Sequence, residues 1–100
     1  MIPPSTYVAL VKVAQQNAGP LPTSYWLRGT LAAPLAVGSP IVVMRTERCG
    51  REEGEPEVVQ CLGEFTSSSV VELFERTDGG VLCRTLNSHW LVTTLPREDT

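Results

Sequence analysis

What the sequence lacks narrows it first. No apolar run approaches the ~20 residues that a bilayer-spanning helix needs. The opening Met1-Ile2-Pro3-Pro4-Ser5 has neither the basic nor the apolar stretch of a secretory signal. The expectation is a cytoplasmic protein with no membrane partner. Cysteine is scarce and odd in number: Cys49, Cys61 and Cys83 show no CxxC and no pairing pattern, which predicts free thiols rather than a disulfide framework. Histidine occurs once, as His89. There is no phosphate-cradling GxxxxGK[ST], which closes nucleotide hydrolysis by that route. Basic residues are outnumbered eight to eleven, for a formal charge of -3, so the summed field repels phosphate backbones unless arginines gather on one face. The one local cluster, Arg45, Arg48 and Arg51, sits beside Glu47, Glu52 and Glu53, which largely neutralise it. Nucleic acid is therefore a disfavoured partner.

What is present suits a small packed domain. Apolar residues make up 42% of the chain and charged residues 19%, unlike the composition of disordered segments. A chain of this size buries roughly two-thirds of its unfolded surface on folding, so residues 1–100 are expected to form one domain, without repeats or low-complexity tracts. The segment Ser24 to Arg45 is the most telling. Two apolar, β-branched runs flank Ala33-Pro34-Leu35-Ala36-Val37-Gly38-Ser39-Pro40, where Pro and Gly bar regular structure. It reads as strand, turn, strand.

The first of these strands, about Ser24 to Ala32, alternates Tyr25, Leu27, Gly29 and Leu31 with Trp26, Arg28 and Thr30, and Gly29 in its interior predicts a bulge or a close backbone approach. The next, Ile41 to Thr46, opens on Ile41-Val42-Val43-Met44 and is expected to be buried on both faces at its start. Residues 6–16 admit a helix capped by Ser5 or Thr6, or a strand with Tyr7, Ala9, Val11 and Val13 on one face; their β-branched content favours the strand. Asn17 to Thr23 is a loop on its Gly and Pro. Glu47 to Glu57, rich in charge, Gly and Pro, predicts a mobile loop. Further strands are expected at about Val58–Phe65, Val70–Arg76, Val81–Leu86 and Trp90–Leu95. Turns are expected at Thr66-Ser67-Ser68-Ser69, at Asp78-Gly79-Gly80, which suits a hairpin needing positive φ, and at Asn87-Ser88. Residues 96–100 read as a frayed tail. Six or seven short strands at this spacing predict an all-β fold, a small antiparallel, partly closed β-barrel.

The run Arg28 to Val43, with Gly29, Val37, Gly38 and Ile41 in the order strand-Gly-turn-Val-Gly-strand, resembles the second-domain barrel of translation GTPases of the elongation factor Tu kind; Ser39 stands where an acidic residue is usual. The resemblance implies a barrel fold and makes a ribosome- or nucleic-acid-associated barrel an alternative function. A second stretch, Gly63 to Val70 with Arg84 to Trp90, is similar to small uncharacterised bacterial and phage β proteins with a TSxV…TxNSxY pattern, Trp90 standing in place of the tyrosine. It implies no activity.

Candidate chemistry is thin. A hydrolytic triad would have to use His89 with Ser67, Ser68 or Ser69 and Asp78, but no G-x-S-x-G elbow exists and a small barrel leaves little room for a substrate pocket. Cys49, Cys61, Cys83 and His89 supply zinc-type ligands, but without the paired spacing of a structural site. Cys61 and Cys83 read as buried apolar residues, and Cys49 as the exposed, reactive thiol. No enzyme activity, metal or cofactor is expected. Trp26 shares a face with Arg28 and Thr30, and Trp beside Arg is the composition of binding hot spots. Thr66 and Ser67, with Arg84, Asn87 and Ser88, form polar strand ends that hairpin geometry could bring together. The leading expectation is a binding or adaptor module that contacts protein, a partner or a second copy, through a strand edge or the Trp26/Arg28 surface.

Overall fold

The computed structural model describes residues 2–15, 26–49 and 58–96. Within them lie six strands: β1 (Tyr7–Gln15), β2 (Trp26–Leu31), β3 (Pro40–Cys49), β4 (Val58–Glu75), β5 (Val81–Thr85) and β6 (Ser88–Thr94). Consecutive strands pair antiparallel, and β1 also pairs with β6, which closes the sheet into a barrel. The described residues contain no helix. Residues 7–15 thus take the strand alternative, residue 16 lying outside the described residues, and the barrel is closed. Ser24, Tyr25, the Asn17–Thr23 loop and residues 97–100 lie outside the described residues.

Alternation decides what enters the barrel. In β2, Leu27, Gly29 and Leu31 face inward while Trp26, Arg28 and Thr30 stay half-buried outside. In β1, Val8 and Leu10 are fully buried, so the face carrying Tyr7, Ala9, Val11 and Val13 is the outer one. β3 alternates as well: Ile41 and Val43 are buried, Val42 is half-buried and Met44 is exposed, so its start is not buried on both faces. Val70, Val81, Cys83, Trp90 and Val92 complete the interior, and Ile2 and Leu35, from outside the strands, pack onto the same core. Filling a narrow barrel with side chains from every strand leaves room for a core and none for a channel.

Strand count falls to six because β4 runs unbroken for 18 residues through the expected Thr66–Ser69 turn. Its first part pairs with β3 and its last part with β5. The register slips where it changes partners, between Pro40/Val42 and between Val70/Glu72. Two of the hydroxyls that suggested a turn reach β3 and the β5–β6 turn instead. Ser67 Oγ accepts the Ile41 N–H at 2.8 Å, and Ser68 Oγ accepts the Asn87 N–H at 3.2 Å. β3 also outruns expectation, since Glu47, Arg48 and Cys49 continue it rather than begin a loop; residues 50–57 lie outside the described residues.

Gly79 and Gly29 illustrate the conformational and the steric uses of glycine here. Gly79 (φ +90°) sits in the three-residue hairpin turn, where its N–H reaches the Arg76 carbonyl and the Arg76 N–H reaches Gly80. Asp78 Oδ1 accepts the Gly80 N–H at 2.9 Å, the local bond that favours Asp in turns. Gly29 lies at a register slip in the β2–β3 ladder, between Arg28 and Gly29. A Cβ there would stand 2.8 Å from both the Met44 carbonyl carbon and Val43 Cγ1, with the Met44 carbonyl oxygen nearer still. Because backbone is the obstacle, no side-chain rotation relieves it. Gly29→Ala is expected to cost about 1–3 kcal/mol and to lower the urea midpoint accordingly. A midpoint equal to that of wild type would contradict the close approach.

Candidate protein-binding surface

Trp26 begins β2 on the outer face, where its backbone N–H donates to Cys49 Sγ at 3.4 Å. The Arg28 guanidinium lies over its ring, 4.7 Å from the centroid. Arg28 is held there by Glu47, directly opposite on β3, through an ion pair of 3.2 Å. Behind them, the Thr46 hydroxyl donates to the Arg28 carbonyl at 3.4 Å and accepts from the Tyr7 hydroxyl at 3.0 Å, tying three strands together. An aromatic ring and a guanidinium are thus fixed side by side before any partner arrives. A half-exposed ion pair contributes little stability, so its effect here is positional.

Register places an apolar row beside this pair. Trp26 is opposite Val11, Val11 is opposite Leu91, Leu91 is opposite Leu82, and Leu82 is opposite Phe74. Directly opposed residues of antiparallel strands share a face, and all five lie outside the core, Phe74 being 54% exposed. The row crosses five of the six strands. Since barrel strands tilt, it winds obliquely round the molecule, and one partner can meet only an arc of it. Sequence reading found Trp26 and Arg28 but missed Val11, Leu82, Leu91 and Phe74. In each of their strands apolar residues occupy both faces, so composition gave no sign of which pointed out.

The second candidate group is brought together only in part. Thr66 Oγ1 donates to Glu64 Oε1 at 3.1 Å on the exposed side of β4. Ser67 Oγ, besides accepting from Ile41, donates to the Ser68 carbonyl at 2.7 Å. Asn87 meets Ser68, and the Leu86 N–H meets the Ser69 carbonyl at 3.1 Å, so the two segments touch through 68–69 and 86–87. Arg84 is paired with Glu72 across β5 and β4. Ser88 is buried, and it starts β6 rather than sitting in a turn. Its N–H donates to Thr85 Oγ1 (3.1 Å), which in turn donates to the Ser88 carbonyl (3.0 Å). These polar groups are engaged in holding the β4–β5–β6 corner.

The triad residues are not assembled. Asp78 lies in the β4–β5 hairpin and His89 just after the β5–β6 turn, at opposite ends of β5; at about 3.4 Å per residue that separation precludes contact. Asp78 pairs instead with Arg76 at 3.1 Å. Among the described residues, no three His, Cys, Asp or Glu side chains gather as metal ligands. Cys49 is buried, correcting its reading as an exposed thiol: the strand simply continues to it. Cys83 is fully buried, as expected of an apolar-type cysteine, and burial pushes its thiol up from 9.0 to about 11.

Comparison with protein-family models, curated proteins and solved structures returns no match.

Two measurements check this geometry. Thr85→Val leaves the buried Ser88 N–H without its acceptor and is expected to cost about 1–3 kcal/mol, with Thr85→Ser close to wild type; equal urea midpoints for the two variants would refute the corner's role. For Cys83, the raised native pKa means the unfolded chain loses its proton first as pH rises. Its contribution is therefore complete below about pH 9 and is lost toward pH 11. Across that interval stability is expected to fall more steeply in wild type than in Cys83→Ala; parallel profiles would contradict the buried thiol.

Proposed function

We propose that this protein is a non-enzymatic binding module that contacts another protein through the outer arc formed by Leu91, Val11 and Trp26, with Arg28 beside it. One observation carries the reading: Arg28 is stacked on Trp26 and clamped by Glu47 at the end of an apolar cross-strand row that the barrel interior does not use. Interfaces draw most of their energy from a few aromatic and arginine anchors surrounded by apolar contact. Anchors fixed in advance also lose less conformational entropy on binding. The formal charge of -3 and the mixed Arg28/Glu47 rim favour protein over a phosphate backbone.

A protein retained by the immobilised wild-type chain is expected to bind Trp26→Ala about tenfold more weakly or worse, as hot-spot truncations do. Arg28→Ala should weaken it as well, while circular dichroism and thermal midpoint stay near wild type because both side chains lie outside the core. In a Trp90→Phe background, where Trp26 is the remaining tryptophan, the partner should shift the emission to shorter wavelength. Unchanged retention by both variants would remove this surface from consideration.

A further inference from the structure

We infer that the outer edge of β4 between Gln60 and Thr66 pairs with the same edge of a second copy of this chain, antiparallel about Leu62. Over this stretch β4 is joined to β3 alone. The β5 ladder reaches only to Val70, and the β5–β6 turn closes it off at the Ser69 carbonyl. Among the described residues, no strand lies on the other side of 60–66. At this level the barrel is completed by side chains instead: the Phe65 ring meets Trp90 edge-on, centroids 5.3 Å apart.

An open ladder edge is a template for another strand, and proteins commonly guard such edges with Lys, Pro, an inward charge or a bulge. The run Gln60-Cys61-Leu62-Gly63-Glu64-Phe65-Thr66 has neither Lys, Arg nor Pro. At its middle stands Leu62, 83% exposed and the most exposed of the large apolar side chains described. The order of residues about Leu62 supplies the choice of occupant. A two-fold axis there sets Leu62 against its own copy and puts each Gln60 opposite the other chain's Glu64, so that the amide donates to the carboxylate twice. Glu64 is the only charged residue of the segment. Parallel, in-register pairing would oppose the two Glu64 carboxylates, so charge selects the antiparallel arrangement and a self-complementary contact. The β3–β4 register slips between Gly63 and Gln60, and Gly63, at φ +127°, bends the strand there, so the irregularity limits the contact to a few residues. The dimer is accordingly weak and concentration-dependent. It leaves the Trp26 surface untouched.

Sedimentation velocity of the full chain over a concentration series tests this. Wild type is expected to pass from monomer to dimer as concentration rises toward the millimolar range. Gln60→Glu sets two carboxylate pairs face to face and is expected to weaken the dimer by roughly tenfold, whereas Gln60→Lys strengthens it and Leu62→Lys abolishes it. Both positions are exposed, and an unchanged circular dichroism spectrum verifies each fold. A wild-type chain that stays monomeric throughout overturns the inference. So does a dimer whose dissociation constant is the same in Gln60→Glu and Gln60→Lys, or one that Trp26→Ala breaks and Leu62→Lys does not. The first two outcomes leave partner binding by Trp26, which is measured separately, untouched; the third would move self-association to that surface.

Discussion

Closing a small sheet into a barrel requires its strands to tilt and curve, and here β4 passes from one neighbour to the next along its length. Its first part is laddered to β3 and its last part to β5, with slips in register at the change of partner. Bending a strand frees backbone groups that the ladder no longer satisfies, and buried unpaired groups are costly. Ser67 and Ser68 supply the missing partners, accepting the N–H groups of Ile41 and Asn87. In the neighbouring ladder, the bare Cα of Gly29 lets β2 and β3 draw close where their own register slips. Curvature, rather than the amount of apolar surface, is what this fold has to provide for.

Much of that was legible in the residues. The alternation Leu27-Gly29-Leu31 against Trp26-Arg28-Thr30 carries both the strand and its facing, and Gly29 in mid-strand announces the close approach that occurs there. Asp78-Gly79-Gly80 specifies its hairpin through the positive φ of Gly79. The misreadings share a cause. Thr66–Ser69 looks like a turn because hydroxyls bond nearby backbone, but hydroxyls bond any backbone in reach, and β3 and the β5–β6 turn lie in reach. Glu47-Arg48-Cys49 looks like loop because charge usually marks one, whereas an outer strand face accommodates charge as readily.

The candidate surface was half visible. Trp26 and Arg28 stand two apart, and their common facing follows from strand period alone. The apolar row beyond them depends on which residues of β1, β4, β5 and β6 come to lie opposite one another, information that resides in register and in no single segment. Val11 could serve the core as well as Val8 does by its chemistry. Only its place in the pleat, one step from Leu10, turns it outward.

The order of the strands has a kinetic side. Every ladder but one joins segments adjacent in the chain, so five of the six can form as hairpins from a still-disordered polymer. The exception pairs Val8 with Thr94 and Leu10 with Val92, and it fastens nearly the whole polypeptide into a ring. The entropy lost in closing a loop grows with the loop's length, so the seam between first and last strands bears the greatest such cost of any step in assembly.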